Sequence, residues 1–157
     1  MPSENYKWVY TIELILPSLY SELEGQALKK IVECLSKVKY LNHITIGLDR
    51  ATKIEYIKAK EFFSNLKQSH SVLWNDSPKM KKLDKDFKAL GIAPDQAGKG
   101  KNVWYCMGYT YSRNEAKSVA LHDCDIMTYS RELLAKLVYP VANPHFNYEF
   151  CKGYYPR

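Results

Sequence analysis

The sequence has no run of about 20 uncharged apolar residues, the length that a membrane-spanning helix requires, so no membrane span is expected. Its opening residues, Met1-Pro2-Ser3-Glu4-Asn5-Tyr6-Lys7, lack the apolar stretch of a signal peptide, which predicts a cytoplasmic protein. The four cysteines, Cys34, Cys106, Cys124 and Cys151, form no C-x-x-C pair. That spacing argues against a zinc knuckle or a redox dithiol and predicts reduced thiols, mostly packed. The Gly98-Lys99-Gly100-Lys101 segment does not have the spacing of a Walker loop. The thirteen tyrosines follow no RNA-binding aromatic pattern, and nucleic acid is not an expected partner. With no repeat, low-complexity tract or linker, 157 residues at 46% hydrophobic content predict a single domain over residues 1–157.

The net charge of +6 and isoelectric point near 9.0 suit an anionic metabolite such as a nucleotide sugar. The lysines between Lys79 and Lys88 are mixed with Asp84 and Asp86 and read as a solvated helix face, whereas Lys99 is flanked by Gly98 and Gly100, with Lys101 directly after. Strand and helix patterns alternate along the chain. Tyr10 to Leu19 reads as a buried strand breaking at Pro17, Gly25 to Val38 as a helix, and His43 to Leu48 as a second strand. Ile54 to Leu66 reads as a second helix and Ser71 to Trp74 as a short strand. Lys79 to Leu90 follows as a helix or part of a mobile loop, then Asn102 to Tyr111 as a helix launched from Gly-Lys-Gly. Ser118 to Asp123 is the next strand, Arg131 to Val138 a helix capped by Thr128 or Ser130, and Asn147 to Tyr155 an extended end. Such alternation implies an α/β fold with a mainly parallel sheet, whose ligands bind beyond the carboxyl ends of the strands.

The segment Val119-Ala120-Leu121-His122-Asp123-Cys124-Asp125-Ile126 is the most informative. If the strand runs through the motif, Asp123 and Asp125 project to one side and share a cation, while His122 points the other way as a packed, hydrogen-bonded histidine. Magnesium and manganese take carboxylate oxygens and leave positions for waters and substrate phosphates, so D-x-D at a strand end suits a diphosphate-bound metal. The residues that follow predicted strands or precede predicted helices, Pro17 to Glu22, Asp49-Arg50, Gly98 to Lys101 and Asp123 to Asp125, are expected to converge on one crevice.

In chain order, ILPSLYSELEG, ITIGLDRAT, GKGKNVW, ALHDCDI and EFCKGYYPR resemble segments of the nucleotide-sugar glycosyltransferases of the GT-A fold, and among them the glucosyl-3-phosphoglycerate synthases and their bacterial relatives. The resemblance implies a Rossmann-like GT-A fold and the N-terminal, donor-binding portion of a longer enzyme, truncated on its C-terminal side. It implies transfer of a hexosyl group, glucose by family, from a nucleoside diphosphate sugar such as UDP-glucose to a small anionic acceptor such as 3-phosphoglycerate, with retention of configuration. Mg2+ or Mn2+ is the implied cofactor. By position, Pro17, Ser18, Leu19 and Glu22 resemble the uridine-binding turn, Asp49 the nucleoside-contacting acid and Lys99 the diphosphate-binding lysine. Asp125 resembles the metal ligand, and Asp123 the aspartate that contacts ribose or the metal. Tyr155 and Arg157 resemble the acceptor-holding segment. No catalytic base or nucleophile is identified, and a homodimer is a further expectation. Two other readings stay open: a non-catalytic nucleotide-binding or interaction module, and a haloacid-dehalogenase-type phosphatase, whose D-x-D belongs after the first strand of its fold.

Overall fold

Four parallel strands alternate with helices in residues 11–154, the part of the chain that the computed structural model describes. In order these are β1 (Ile12–Leu19), α1 (Gln26–Leu35), β2 (Leu41–Asp49), α2 (Lys53–Phe63), β3 (His70–Trp74), α3 (Pro78–Ala89), α4 (Lys99–Arg113), β4 (Ser118–Leu121) and α5 (Arg131–Ala142). A short 3-10 turn, Tyr20–Glu24, joins β1 to α1. The sheet order is β3-β2-β1-β4, with every neighbouring pair parallel. No described helix is long and apolar enough to cross a membrane.

The chain steps outward from β1 to β2 to β3, then returns past β1 to lay β4 on the far side. Right-handed crossovers in opposite directions put α1 and α2 on one face of the sheet and α4 on the other. The strand period of two separates the residues accordingly. Ile12, Leu14, Leu16, Ile44, Ile46 and Leu48 join Leu28, Ile31, Leu35, Phe63, Leu134 and Val138 in one apolar core. The α4 face carries the buried polar residues Glu13, His43 and Thr45. Arg113 Nε donates to Glu13 Oε1 at 3.3 Å, and His43 Nδ1 and Nε2 lie 2.9 and 3.1 Å from the hydroxyls of Ser69 and Ser71. Tyr109 on α4 meets the Ser71 hydroxyl at 2.8 Å.

One residue lets α4 seat on this face. A β-carbon at Gly47 would lie 1.7 Å from Asn102 Oδ1 and 2.5 Å from Cys106 Sγ, so only glycine leaves room for the helix. The buried Asn102 amide uses that space to donate to the Gly47 carbonyl at 2.9 Å.

The elements agree with the sequence pattern except at a few places. β1 does not break at Pro17. Ile15 faces β4, its carbonyl accepting from His122 N–H at 3.1 Å, and Pro17, two residues on, turns its nitrogen to the same side, beyond the end of β4. No ladder hydrogen bond is lost there. β4 ends at Leu121 rather than running to Asp123, and residues 147–154 form no strand. Three helices start where capping side chains stand: Thr52 and Glu55 cap α2 reciprocally, Ser77 caps α3 ahead of Pro78, and Ser130 caps α5. Lys79 to Ala89 belongs to a helix, α3, with Leu90 as its C-cap, and α4 begins at Lys99, earlier than its apolar spacing indicates. The cysteines are free, with Cys106 and Cys124 buried.

Gly47→Ala should destabilise the fold by about 1–3 kcal/mol through overpacking, read as a lower urea midpoint. A change within about 0.5 kcal/mol would show that α4 does not depend on this approach. Burial and the Arg113 charge hold His43 below the ordinary imidazole value of 6.5, and burial pushes His122 down to about 4. Because the unfolded chain takes up these protons first, stability is complete above about pH 6.5 and declines as pH falls toward the lower folded values. His43→Gln should flatten part of that decline in pH-dependent denaturation. An unchanged slope would mean that His43 contributes nothing to it.

Candidate functional site

Four strand exits, the start of α4 and one side of α3 enclose a cleft of about 490 Å3 at the carboxyl end of the sheet. β1 contributes Pro17, Ser18 and Leu19, with Glu22 just after it, and β2 contributes Asp49 and Arg50. Gly98, Lys99 and Lys101 come from the start of α4, and Asp123, Cys124 and Asp125 from the exit of β4. Every donor and metal candidate read from the sequence therefore lines one cleft. The acceptor candidates Tyr155 and Arg157 lie outside the described residues.

At the β1 exit the turn is held by its own side chains. Glu22 Oε2 accepts from the Leu19 backbone N–H at 2.8 Å, and the buried Ser18 hydroxyl donates to the Leu19 carbonyl at 3.0 Å. Glu22 thus caps the 3-10 turn and also borders the cleft.

The β2 and β3 exits clamp each other. Asn75 Nδ2 donates to Asp49 Oδ1 at 2.7 Å, Ala51 N–H donates to Asp76 Oδ2 at 3.0 Å, and Trp74 Nε1 donates to the Ala51 carbonyl at 2.7 Å. Arg50 at the tip has a φ of 55°, a left-handed conformation uncommon outside glycine, held from both sides. Burial raises the Asp49 pKa above its ordinary value while the Asn75 hydrogen bond opposes the rise. Asn75 and Asp76 line the cleft and were not among the residues singled out from the sequence. Their signal was available, since Asn-Asp-Ser-Pro directly follows the third predicted strand and occupies the same carboxyl-end position as the other exits.

α4 presents its first turn, the positive end of the helix dipole, to the cleft. Lys99 forms an ion pair with Asp123. Lys101 Nζ lies 2.5 Å from Asp84 Oδ1 on α3, and Tyr105 Oη donates to the same oxygen at 2.7 Å. Lys101 lines the cleft as its place beside Lys99 implies, whereas Asp84, Asn102 and Tyr105 are further lining residues that chain spacing alone did not bring together.

The D-x-D residues do not share a strand face, because β4 has ended before them. Both line the cleft for a different reason. Cys124 between them is buried in the apolar core, so the turn is anchored by its middle residue and Asp123 and Asp125 border the cavity on either side. His122 is buried, and its Nδ1 lies 2.9 Å from Tyr129 Oη, which ties the turn to the segment leading into α5. Among the described residues no three His, Cys, Asp or Glu side chains form a metal cage. Two carboxylates without nitrogen or sulfur partners fit magnesium or manganese, which complete their shells with phosphate oxygens and water, and do not fit a structural zinc.

No family model matches the chain. The glucosyl-3-phosphoglycerate synthase of Persephonella marina is 46% identical over 144 residues, covering 92% of this chain and 36% of that protein. The enzyme of the same name from Methanococcoides burtonii is 42% identical over 145 residues, covering 92% of this chain and 35% of its own length. The chain thus spans about a third of the length of these curated relatives. In structure it is similar to glucosyl-3-phosphoglycerate synthase from Mycobacterium tuberculosis, solved with Mn2+, uridine diphosphate and glucosyl-3-phosphoglycerate. The TM-score is 0.53 at 17% identity, over 86% of this chain and 40% of that one. The fold is the Rossmann-like GT-A fold, and over the third of their length that it spans, the chain is a homologue of the glucosyl-3-phosphoglycerate synthases.

Proposed function

We propose that this chain is the donor-binding portion of a metal-dependent glycosyltransferase, which moves a glucosyl group from a nucleoside diphosphate sugar to a small anionic acceptor such as 3-phosphoglycerate. The observation that carries the reading is the convergence of Pro17-Ser18-Leu19, Asp49, Lys99, Asp123 and Asp125 on one cleft of about 490 Å3, a volume suited to a small-molecule ligand. The turn at Pro17 to Leu19 and Asp49 would take the nucleoside. Lys99, on the first turn of α4, would take the diphosphate, where helix end and ammonium act in the same sense. Asp123 and Asp125 would hold Mg2+ or Mn2+, with Asp123 also within the reach of ribose hydroxyls. The bound cation supplies neutralisation of the charge that develops on the departing diphosphate. The names of the two curated relatives, and the Mn2+ and uridine diphosphate in the Mycobacterium tuberculosis structure, support the same assignment. A cytoplasmic location is part of the proposal. The phosphatase reading is disfavoured by the D-x-D following β4 rather than the first strand.

The Lys99–Asp123 ion pair couples the two ligands. With Asp123 engaged by a cation, Lys99 would be free for phosphate, and with Lys99 engaged by phosphate, Asp123 would be free for the cation, so each should strengthen the binding of the other by the same factor. Uridine diphosphate at ~100 times its dissociation constant should stabilise the protein by about 2.7 kcal/mol in manganese. Chelator should remove most of that thermal shift, and an equal shift in chelator would count against metal bridging. Asp125→Asn should abolish the metal dependence without lowering the ligand-free melting temperature.

Lys99→Ala should weaken uridine diphosphate by about tenfold or more while leaving uridine unchanged, because only the diphosphate carries the charge that Lys99 meets. Titration calorimetry with both ligands separates this from a general loosening of the cleft, which would weaken them equally. Incubation with manganese, UDP-glucose and 3-phosphoglycerate, followed by mass spectrometry, distinguishes a transferase from a nucleotide-binding module. Glucose release or transfer would exclude the non-catalytic module, whereas little or no turnover is the outcome expected of a donor-binding portion alone.

A further inference from the structure

α3 covers one side of the cleft without being part of the core. None of its residues is buried. Ser77 caps its start, Phe87 meets Trp104 of α4 edge to face at 5.9 Å, and its polar attachment to α4 converges on one carboxylate. Asp84 Oδ1 receives Lys101 Nζ at 2.5 Å and Tyr105 Oη at 2.7 Å, while Oδ2 lies 3.2 Å from Lys88 Nζ. Burial pushes the Asp84 carboxyl up, and the hydrogen bonds from Lys101, Tyr105 and Lys88 outweigh it, holding the group down at about 2.

Lys101 stands two residues after Lys99 on the same helix turn and lines the same cleft. Its side chain is 16% exposed, against 54% for Lys99, so its charge is the less screened of the two. Both ammonium groups already hold a carboxylate from another segment. A cation can draw Asp123 away from Lys99, whereas Asp84 stands outside the Asp123–Asp125 pair read as the metal site. What can replace Asp84 on Lys101 is an anion, and an anion there removes one of the two α4 side chains that hold Asp84.

We propose that Asp84 is a positioning residue that occupies Lys101 in place of a ligand's anionic group, and that a nucleoside diphosphate binding in the cleft takes Lys101 and releases α3 from α4. The proposal rests on the reading of the cleft as a nucleotide site. It predicts a thermodynamic competition: whatever strengthens the Asp84–Lys101 pair weakens anion binding, and the reverse.

Two variants give opposite signs. Asp84→Asn, close in shape and still able to accept from Tyr105, should bind uridine diphosphate in manganese about two- to fivefold more tightly, the scale of a partly exposed ion pair. Lys101→Gln should bind it more weakly. Both should speed amide exchange across α3 in the absence of ligand. In the unaltered protein, uridine diphosphate should speed α3 exchange while slowing exchange in the turns at Leu19 and Asp123. A carboxylate that merely supports the fold would weaken binding in both variants, and that result overturns the proposal. So does unchanged α3 exchange in ligand-free Asp84→Asn, or protection of α3 by uridine diphosphate. Absence of uridine diphosphate binding to the unaltered protein would refute the nucleotide-site reading instead, and the ligand-free exchange comparison would still decide whether Asp84 fastens α3.

Discussion

The approach of α4 to β2 over Gly47 is the constraint on which the cleft depends. Without a side chain at that point, Asn102 reaches the Gly47 carbonyl and α4 comes down onto the sheet with its first turn at the carboxyl ends of the strands. Lys99 and Lys101 ride on that turn. A helix held farther from the sheet would carry both ammonium groups away from the β1, β2 and β4 exits. The cavity walls are loops, but their spacing is set by one backbone approach in the sheet.

The two faces of the sheet do different work. One is an apolar core shared by α1, α2 and α5. The other, under α4, is a polar layer in which Glu13 is fully buried against Arg113 and His43 lies between two serine hydroxyls. Buried polar groups constrain geometry more sharply than apolar ones, because a shifted helix leaves donors and acceptors unmatched. We attribute the fixed seat of α4 to this layer together with Asn102.

The cleft is not basic as the whole chain is: six carboxylates and four cations line it. Lys99 faces Asp123, Lys101 faces Asp84, and Asp49 is held by the Asn75 amide. A net charge of +6 describes the whole chain and not this cavity, where Lys99 and Lys101 each pair with a carboxylate from another segment. Pairing keeps partly buried charges from standing alone and means that ligands bind by exchanging partners.

Sequence alone determined the alternation of strands and helices, the parallel sheet, and the strand exits where Pro17, Asp49, Lys99, Asp123 and Asp125 gather. These follow from local rules: apolar periodicity, capping residues and the right-handed crossover. Only the tertiary structure decided how those residues are held. β1 continues through Pro17 because β4 has already ended on the side its nitrogen faces. Asp123 and Asp125 line the cleft because Cys124 is sunk in the core, not because a strand alternates through them. The Asn75 and Asp76 clamps and the Asp84–Lys101 pair join residues 26, 25 and 17 positions from their partners. No periodicity encodes such contacts, since they depend on where separate elements stop and how closely they pack.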